Sequence, residues 1–206
     1  MSTKLGLHVT SGSRSGYGDV VAAGPAAVLA VNEGGALLEA KEKGGDRVIT
    51  IFREFHDNAV FKDAPDNIDN MTIEQAREAA DRYWPELKQV YDLNEADYYQ
   101  VTNETGGDNP VSLANIIAFE TRLMELAERD GYKLAIGSPA GGSPGRWENW
   151  VKFLVPHIRR AGQGGHIYSR HAYGGVDPGG TGFLTKESAG VVIPADDNTG
   201  RPFREA

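Results

Sequence analysis

Asn103-Glu104, His171-x-Tyr173, Arg53-Glu54, Asn32-Glu33, His8 with Thr10, and Ser138 share one feature: each follows or ends a short apolar run. The runs are Leu5–Val9, Ala26–Val31, Val48–Phe52, Tyr98–Val101, Lys133–Ile136 and His166–Tyr168. A carboxylate at such a position can give and take protons. Arg, Asn, His and Tyr beside it can hold the hydroxyls of a polar ligand. The set is suited to acid–base work on a hydroxyl-rich molecule such as a carbohydrate.

The elements that position these residues follow from periodicity. The six runs are too short for helices and read as strands buried on both faces, as in a parallel sheet. Between them lie helical patterns. Gly35–Lys43 is a short one. Thr72–Tyr91 carries apolar residues on one face and opens with a T-x-x-Q capping box, with Pro85 expected to kink or split it. Leu113, Ile116, Ile117, Leu123, Met124 and Ala127 mark another face that Gly131 should stop. Ser143-Pro144 places a cap before a first-turn proline, and Trp147, Trp150, Val151, Leu154 and Ile158 follow at helical spacing with Pro156 a distortion. Thr10–Gly18 reads as loop. Strand and helix alternate, so the expected fold class is α/β, with parallel strands inside and helices outside.

Strand starts average about 32 residues apart, and six such units make about three quarters of an eight-stranded barrel of roughly 250 residues. The reading is therefore a single partial (β/α)₈ TIM barrel over residues 1–206, an open barrel of six parallel strands. Residues 176–206, rich in Gly, Pro and Asp, form a loop-rich tail that ends before a seventh strand.

The Asn-Glu dipeptide occurs three times, at Asn32-Glu33, Asn94-Glu95 and Asn103-Glu104. Only the third follows a strand-like run with His-x-Tyr two units later. Tyr98–Glu104 (YYQVTNE), His171-Ala172-Tyr173 and Arg53 together resemble the retaining glycoside hydrolases of clan A, which are (β/α)₈ barrels. The spacing of segments extends this resemblance over essentially the whole chain. The resemblance implies hydrolysis of O-glycosyl bonds in a poly- or oligosaccharide, with Glu104 as general acid/base and Asn103 bonded to the sugar 2-hydroxyl. His171 and Tyr173 would orient carboxylates and hold hydroxyls. His8, Arg53, Glu54 and Trp147 are the further substrate-binding candidates. In that clan the nucleophile is a Glu ending strand seven. No such strand is found here, since Glu187 and Glu205 lie in loop-like sequence. This chain alone, a fragment of the full barrel, is therefore expected to be inactive, and a non-catalytic carbohydrate-binding or degenerate barrel is the alternative.

Blander roles stand beside these. Glu104 can be a solvated loop carboxylate, and Glu54 a structural residue or a substitute nucleophile. Arg53 can simply neutralise nearby acids. His8 can be a satisfied core residue, and His171 and Tyr173 structural bonding partners. Trp147 and Trp150 suit helix packing, with sugar stacking open to Trp147. Gly137–Gly145 lacks the endings of phosphate-binding loops and reads as a flexible loop near the site.

Composition removes several classes. There is no cysteine, hence no disulfide framework, thiolate zinc site or cysteine nucleophile. The net charge of −8 without a Lys/Arg cluster argues against nucleic-acid or anionic-membrane partners. A lone His8 on strand one is poor support for a metal, and no cofactor is implied. No apolar run approaches a membrane span, and Met1–Leu7 lacks the layout of a signal peptide. Neither compartment nor oligomeric state follows from the sequence.

Overall fold

The computed structural model describes residues 6–10, 17–54, 65–139 and 143–169. Six strands lie side by side in chain order, all parallel: β1 (Gly6–Thr10), β2 (Ala27–Val31), β3 (Ile49–Arg53), β4 (Tyr98–Gln100), β5 (Leu134–Gly137) and β6 (Ile167–Ser169). The sheet curls into half a barrel. Each strand lies within one residue of the apolar run that predicted it. Parallel neighbours need crossovers. Helices α1 (Tyr17–Ala22), α2 (Gly34–Gly44), α3 (Ile73–Leu93), α4 (Pro110–Asp130), α5 (Trp147–Asn149) and α6 (Val155–Gln163) supply them. The expected seventh-strand position and the tail at 176–206 lie outside the described residues.

Local chemistry explains where the helices begin and end. Thr72 accepts from the Gln75 N–H at 3.2 Å while the Gln75 side chain accepts from the Thr72 N–H at 2.9 Å, completing the capping box. Asn109 accepts from Val111 N at 2.9 Å ahead of Pro110 in the first turn, so α4 begins three residues before the apolar pattern does. Gly131 ends it in the left-handed region at φ 86°.

Four expectations change. Ser143-Pro144 does not open a helix, since α5 starts at Trp147 after Arg146. Helix α3 runs unbroken through Pro85. That residue lies on the exposed side, where the carbonyl of Asp81 that loses its partner can turn to water. Helix α1 begins inside the stretch read as loop and runs on past it to Ala22, because Tyr17 and Val21 make a buried stripe and the Tyr17 hydroxyl donates to the Ala36 carbonyl. Burial on both faces holds for β5, where Leu134, Ala135 and Ile136 are all buried, but not for β1 and β3. Val9, Val28, Ala30, Phe52 and Tyr99 are buried in the core, but the alternate residues Gly6, His8, Thr10 and Ile49 are exposed. A sheet curled only half-way leaves its concave face incompletely covered, so these strands alternate. The distortion expected at Pro156 is present as a π-helical turn over Trp150–Leu154 just before α6. Proline has no N–H to return to the Lys152 carbonyl, and the turn widens.

The core packs between α3, α4 and the outer face of the sheet. Ala76, Ala79 and Ala80 let α4 approach closely, and the Tyr83 ring lies 6.2 Å from that of Phe119. Beneath β4, Tyr91 and Tyr99 stack at 4.1 Å, with Trp84 and Tyr132 edge-on. Before β4 begins, Asp97 stands in for a missing ladder partner, accepting from Thr50 N at 2.8 Å and pairing with Lys41 at 2.7 Å. Burial pushes the Asp97 carboxyl up, but the bonds from Lys41 and Thr50 together hold it below its usual range.

The start of β5 carries a pH-sensitive contact. Leu134 N donates to Nδ1 of buried His166 at 2.9 Å, which fixes the remaining ring proton on Nε2, 3.1 Å from Glu128 Oε1. Burial lowers the His166 pKa from its ordinary 6.5. The folded chain therefore favours the neutral ring, and the unfolded chain binds the extra proton first. The associated stability is present above about pH 6.5 and is lost as pH falls toward and through the lower folded value. Urea unfolding midpoints should fall between pH 7.5 and 5.5, and His166→Gln should flatten that slope; an equal slope in both proteins would contradict the assignment.

Candidate functional site

Strand register brings several predicted residues onto one face. The row Thr10, Val31, Arg53, Gln100, Ala135, Ile167 crosses the sheet, at the C-terminal ends of β1 to β4 and nearer the starts of β5 and β6. His8 lies one row below, opposite Leu29, on the same face. His8 and Arg53 are two strands apart, about 10 Å at ordinary strand spacing. His8 is exposed, which is not the environment of a satisfied core histidine.

Arg53 reaches across to the next strand end. Its Nη1 donates to Asn103 Oδ1 at 2.8 Å, and both side chains are half-buried. The Asn103 amide is thereby oriented, with its oxygen toward the guanidinium. Arg53 thus does more than neutralise acids, since it sets an amide beside Glu104. Glu54, the next residue along, is half-buried, and burial raises its carboxyl above the usual 4.5. A carboxyl so shifted holds its proton more readily than a free one.

Glu104 is exposed, and its backbone is unusual. It has φ 58°, Asn32 has 56° and Ser138 has 42°. These are the only non-glycine residues in the left-handed region among the described residues, and they follow β2, β4 and β5. Such a conformation costs on the order of 1–3 kcal/mol per residue and persists only where neighbours enforce it. Here the neighbours are backbone bonds that prolong the parallel ladder past the strands. Asn32 N donates to Arg53 O at 2.9 Å, Glu104 N to Ser138 O at 2.7 Å, and Ser138 N to Ser169 O at 2.9 Å.

The loop that begins at Glu104 is tied to the one after β5. Asp108 Oδ1 accepts from Gly145 N at 2.6 Å, and its carbonyl accepts from Asn149 Nδ2 at 3.0 Å. Trp147 lies inside this tie and is 61% exposed, so the packing role does not hold for it. Packing holds for Trp150, which is half-buried and donates from Nε1 to Pro144 O at 2.7 Å. Val111, 63% exposed at the start of α4, joins Trp147 in presenting apolar surface. His171 and Tyr173 lie outside the described residues. Among the described residues, no group of three or more His, Asp or Glu is placed to hold a metal ion, and no helix is long and apolar enough to cross a membrane.

Sequence reasoning passed over the polar groups behind the rim. Glu120, 2% exposed on α4, accepts from Thr102 Oγ1 at 2.6 Å and from Gly137 N at 2.8 Å. Its other oxygen lies 2.7 Å from Nε2 of His157, which is buried on α6. The signal was present: Glu120 follows Ile116 by four and precedes Leu123 by three, so a carboxylate sits on the apolar face of α4. Gln100 Oε1 and Ser138 Oγ, at the ends of β4 and β5, are buried without a hydrogen-bond partner among the described residues.

No family model matches the chain, and no curated protein matches it. Among solved structures it is similar to an engineered protein at 12% identity, over 88% of this chain and 54% of that one, with a TM-score of 0.34. It is also similar to 1-deoxy-D-xylulose 5-phosphate reductoisomerase from Zymomonas mobilis in complex with NADPH, at 14% identity over 82% of this chain and 39% of that one, with a TM-score of 0.23. The chain thus spans about half or less of these proteins' lengths, 54% and 39%. Likenesses this loose carry no argument about function.

Proposed function

We propose that the ends of β3 and β4 form the acid/base half of a retaining glycosidase site in a (β/α)₈ barrel. The observation that carries this is the Arg53–Asn103 bond of 2.8 Å, which fixes an amide immediately before Glu104 at the mouth of a parallel sheet. In barrels, reacting groups belong at this end of the strands. In the proposed chemistry Glu104 protonates the glycosidic oxygen as the leaving group departs. Its carboxylate then takes a proton from the water that frees the glycosyl-enzyme ester. Asn103 would hold the neighbouring 2-hydroxyl, and Trp147 would offer a ring face to a further sugar unit. Retention requires a second carboxylate about 5–5.5 Å away. The nucleophile of this reading is a carboxylate outside the described residues. The substrate class, a β-linked poly- or oligosaccharide, rests on the resemblance alone.

A second reading is carbohydrate binding without cleavage, in which the same exposed strand-end groups hold a saccharide and no bond is broken. One experiment separates them. The chain is offered 4-nitrophenyl β-glucoside, β-galactoside, β-mannoside and β-xyloside together with xylan, mannan and β-glucan, and both product configuration and binding heat are recorded. Hydrolysis with retained configuration, insensitive to EDTA, supports the enzyme. Binding without cleavage supports the second reading. Neither binding nor cleavage across the panel overturns both.

A further inference from the structure

We propose that Glu120 is a positioning residue for Glu104, a buried carboxylate that clamps the ends of β4 and β5 from behind. This deepens the glycosidase reading and rests on it for its catalytic consequence, though not for its geometry.

The argument begins with what Glu120 does not need to do. An aliphatic side chain at this place on α4 would pack against the sheet without the cost of taking a carboxylate out of water. What an aliphatic side chain lacks is acceptor capacity. One carboxylate oxygen receives both the Thr102 hydroxyl at 2.6 Å and the Gly137 N–H at 2.8 Å. Thr102 returns to β5 as well, donating to the Gly137 carbonyl at 3.2 Å. Three helix and strand elements therefore meet at one buried group.

The clamped residues are the ones next to the strained positions. Thr102 precedes Asn103-Glu104. Gly137, itself at φ 92°, precedes Ser138, whose carbonyl accepts the Glu104 N–H at 2.7 Å. A side chain at 137 would also meet the Tyr168 ring at 2.3 Å, so the turn is confined to glycine. With two successive residues at positive φ, the Gly137 N–H is aimed at the helix, and Glu120 is what receives it. The remaining oxygen is held by His157 Nε2 at 2.7 Å, which fixes the carboxylate plane from α6. His157, Glu120, Gly137 and Thr102 are thus joined by hydrogen bonds, and the peptide link from Gly137 to Ser138 carries the connection on to the Glu104 N–H.

The test is amide hydrogen exchange by NMR on the full chain, with Thr102→Val, Glu120→Leu and Glu120→Gln beside wild type. Thr102→Val and Glu120→Leu should speed exchange at the Glu104 and Gly137 amides by about ten-fold or more while Tyr83 and Leu87 in α3 stay protected. Glu120→Gln should behave nearly as wild type, because its amide oxygen still accepts. Where glycosides are cleaved, Thr102→Val should lower kcat on methyl glycosides by about 10- to 100-fold with KM within about two-fold, and leave the first step on 2,4-dinitrophenyl glycosides, formation of the glycosyl-enzyme ester, little changed. If Glu120→Leu does not fold, Thr102→Val decides. Unchanged exchange at Glu104 in that variant overturns the clamp even if glycosides are hydrolysed. Faster exchange with no glycoside binding or cleavage by wild type leaves the clamp standing and removes Glu104 as an acid.

Discussion

Where the nucleophile is supplied, Glu104→Gln is expected to lower turnover of unactivated glycosides by about 10²–10⁴, the range that loss of a positioned proton donor produces. The loss should depend on the leaving group. A methyl or sugar leaving group departs poorly as an alkoxide and needs the proton, whereas 2,4-dinitrophenolate leaves without it. The variant should therefore cleave dinitrophenyl glycosides to the ester nearly as fast as wild type and stall at hydrolysis of that ester, because the same carboxylate activates water. Added azide needs no base and should restore release as a glycosyl azide. The geometry supports so specific a dependence. Glu104 is exposed at the strand end, its backbone is tied to the Ser138 carbonyl at 2.7 Å, and its neighbour Asn103 is held by Arg53. Near-normal turnover of methyl glycosides by the variant would exclude the role.

Phe119→Ala should be the most damaging of the simple core truncations. The side chain is wholly buried, its ring lies 6.2 Å from that of Tyr83 on α3, and it is beside Glu120 in the chain. Removing a buried phenyl ring loses its transfer free energy and leaves a cavity, about 3–5 kcal/mol together. For a chain of this size that corresponds to a fall in Tm of about 6–20 °C. Calorimetry or urea unfolding checks it directly. A loss under about 1 kcal/mol would mean that α3 and α4 do not meet through this ring.

Much of this architecture was legible in short apolar runs. Strands buried against helices demand Val, Ile, Leu and Ala in unbroken stretches, and the runs at Ala26–Val31 and Val48–Phe52 became β2 and β3 within a residue. Capping residues were equally explicit, because Thr72 with Gln75 and Gly131 each satisfy a specific set of helix-end groups. The site was legible only in part. Asn103 and Glu104 stood out because they follow a strand, but nothing in the chain's order announces that Arg53, fifty positions earlier, would orient the Asn103 amide. That pairing is a product of sheet register. Glu120 and His157 went unread because helix periodicity was followed for its apolar members. The polar residues sharing that face were passed over, yet they were the informative ones. Helix α1 was missed because six residues give too little periodicity, and its stability comes from tertiary burial of Tyr17 and Val21.

The reading rests on a single carboxyl meeting a glycosidic oxygen. Co-crystals of Glu104→Gln with the oligosaccharide that the wild-type chain binds best would show this directly. The substituted side chain should lie within about 3 Å of the oxygen linking two sugar units, with Asn103 against the adjacent hydroxyl and the sugar chain running toward Trp147. A saccharide bound away from the ends of β3 and β4, with that side chain touching no sugar atom, would contradict it.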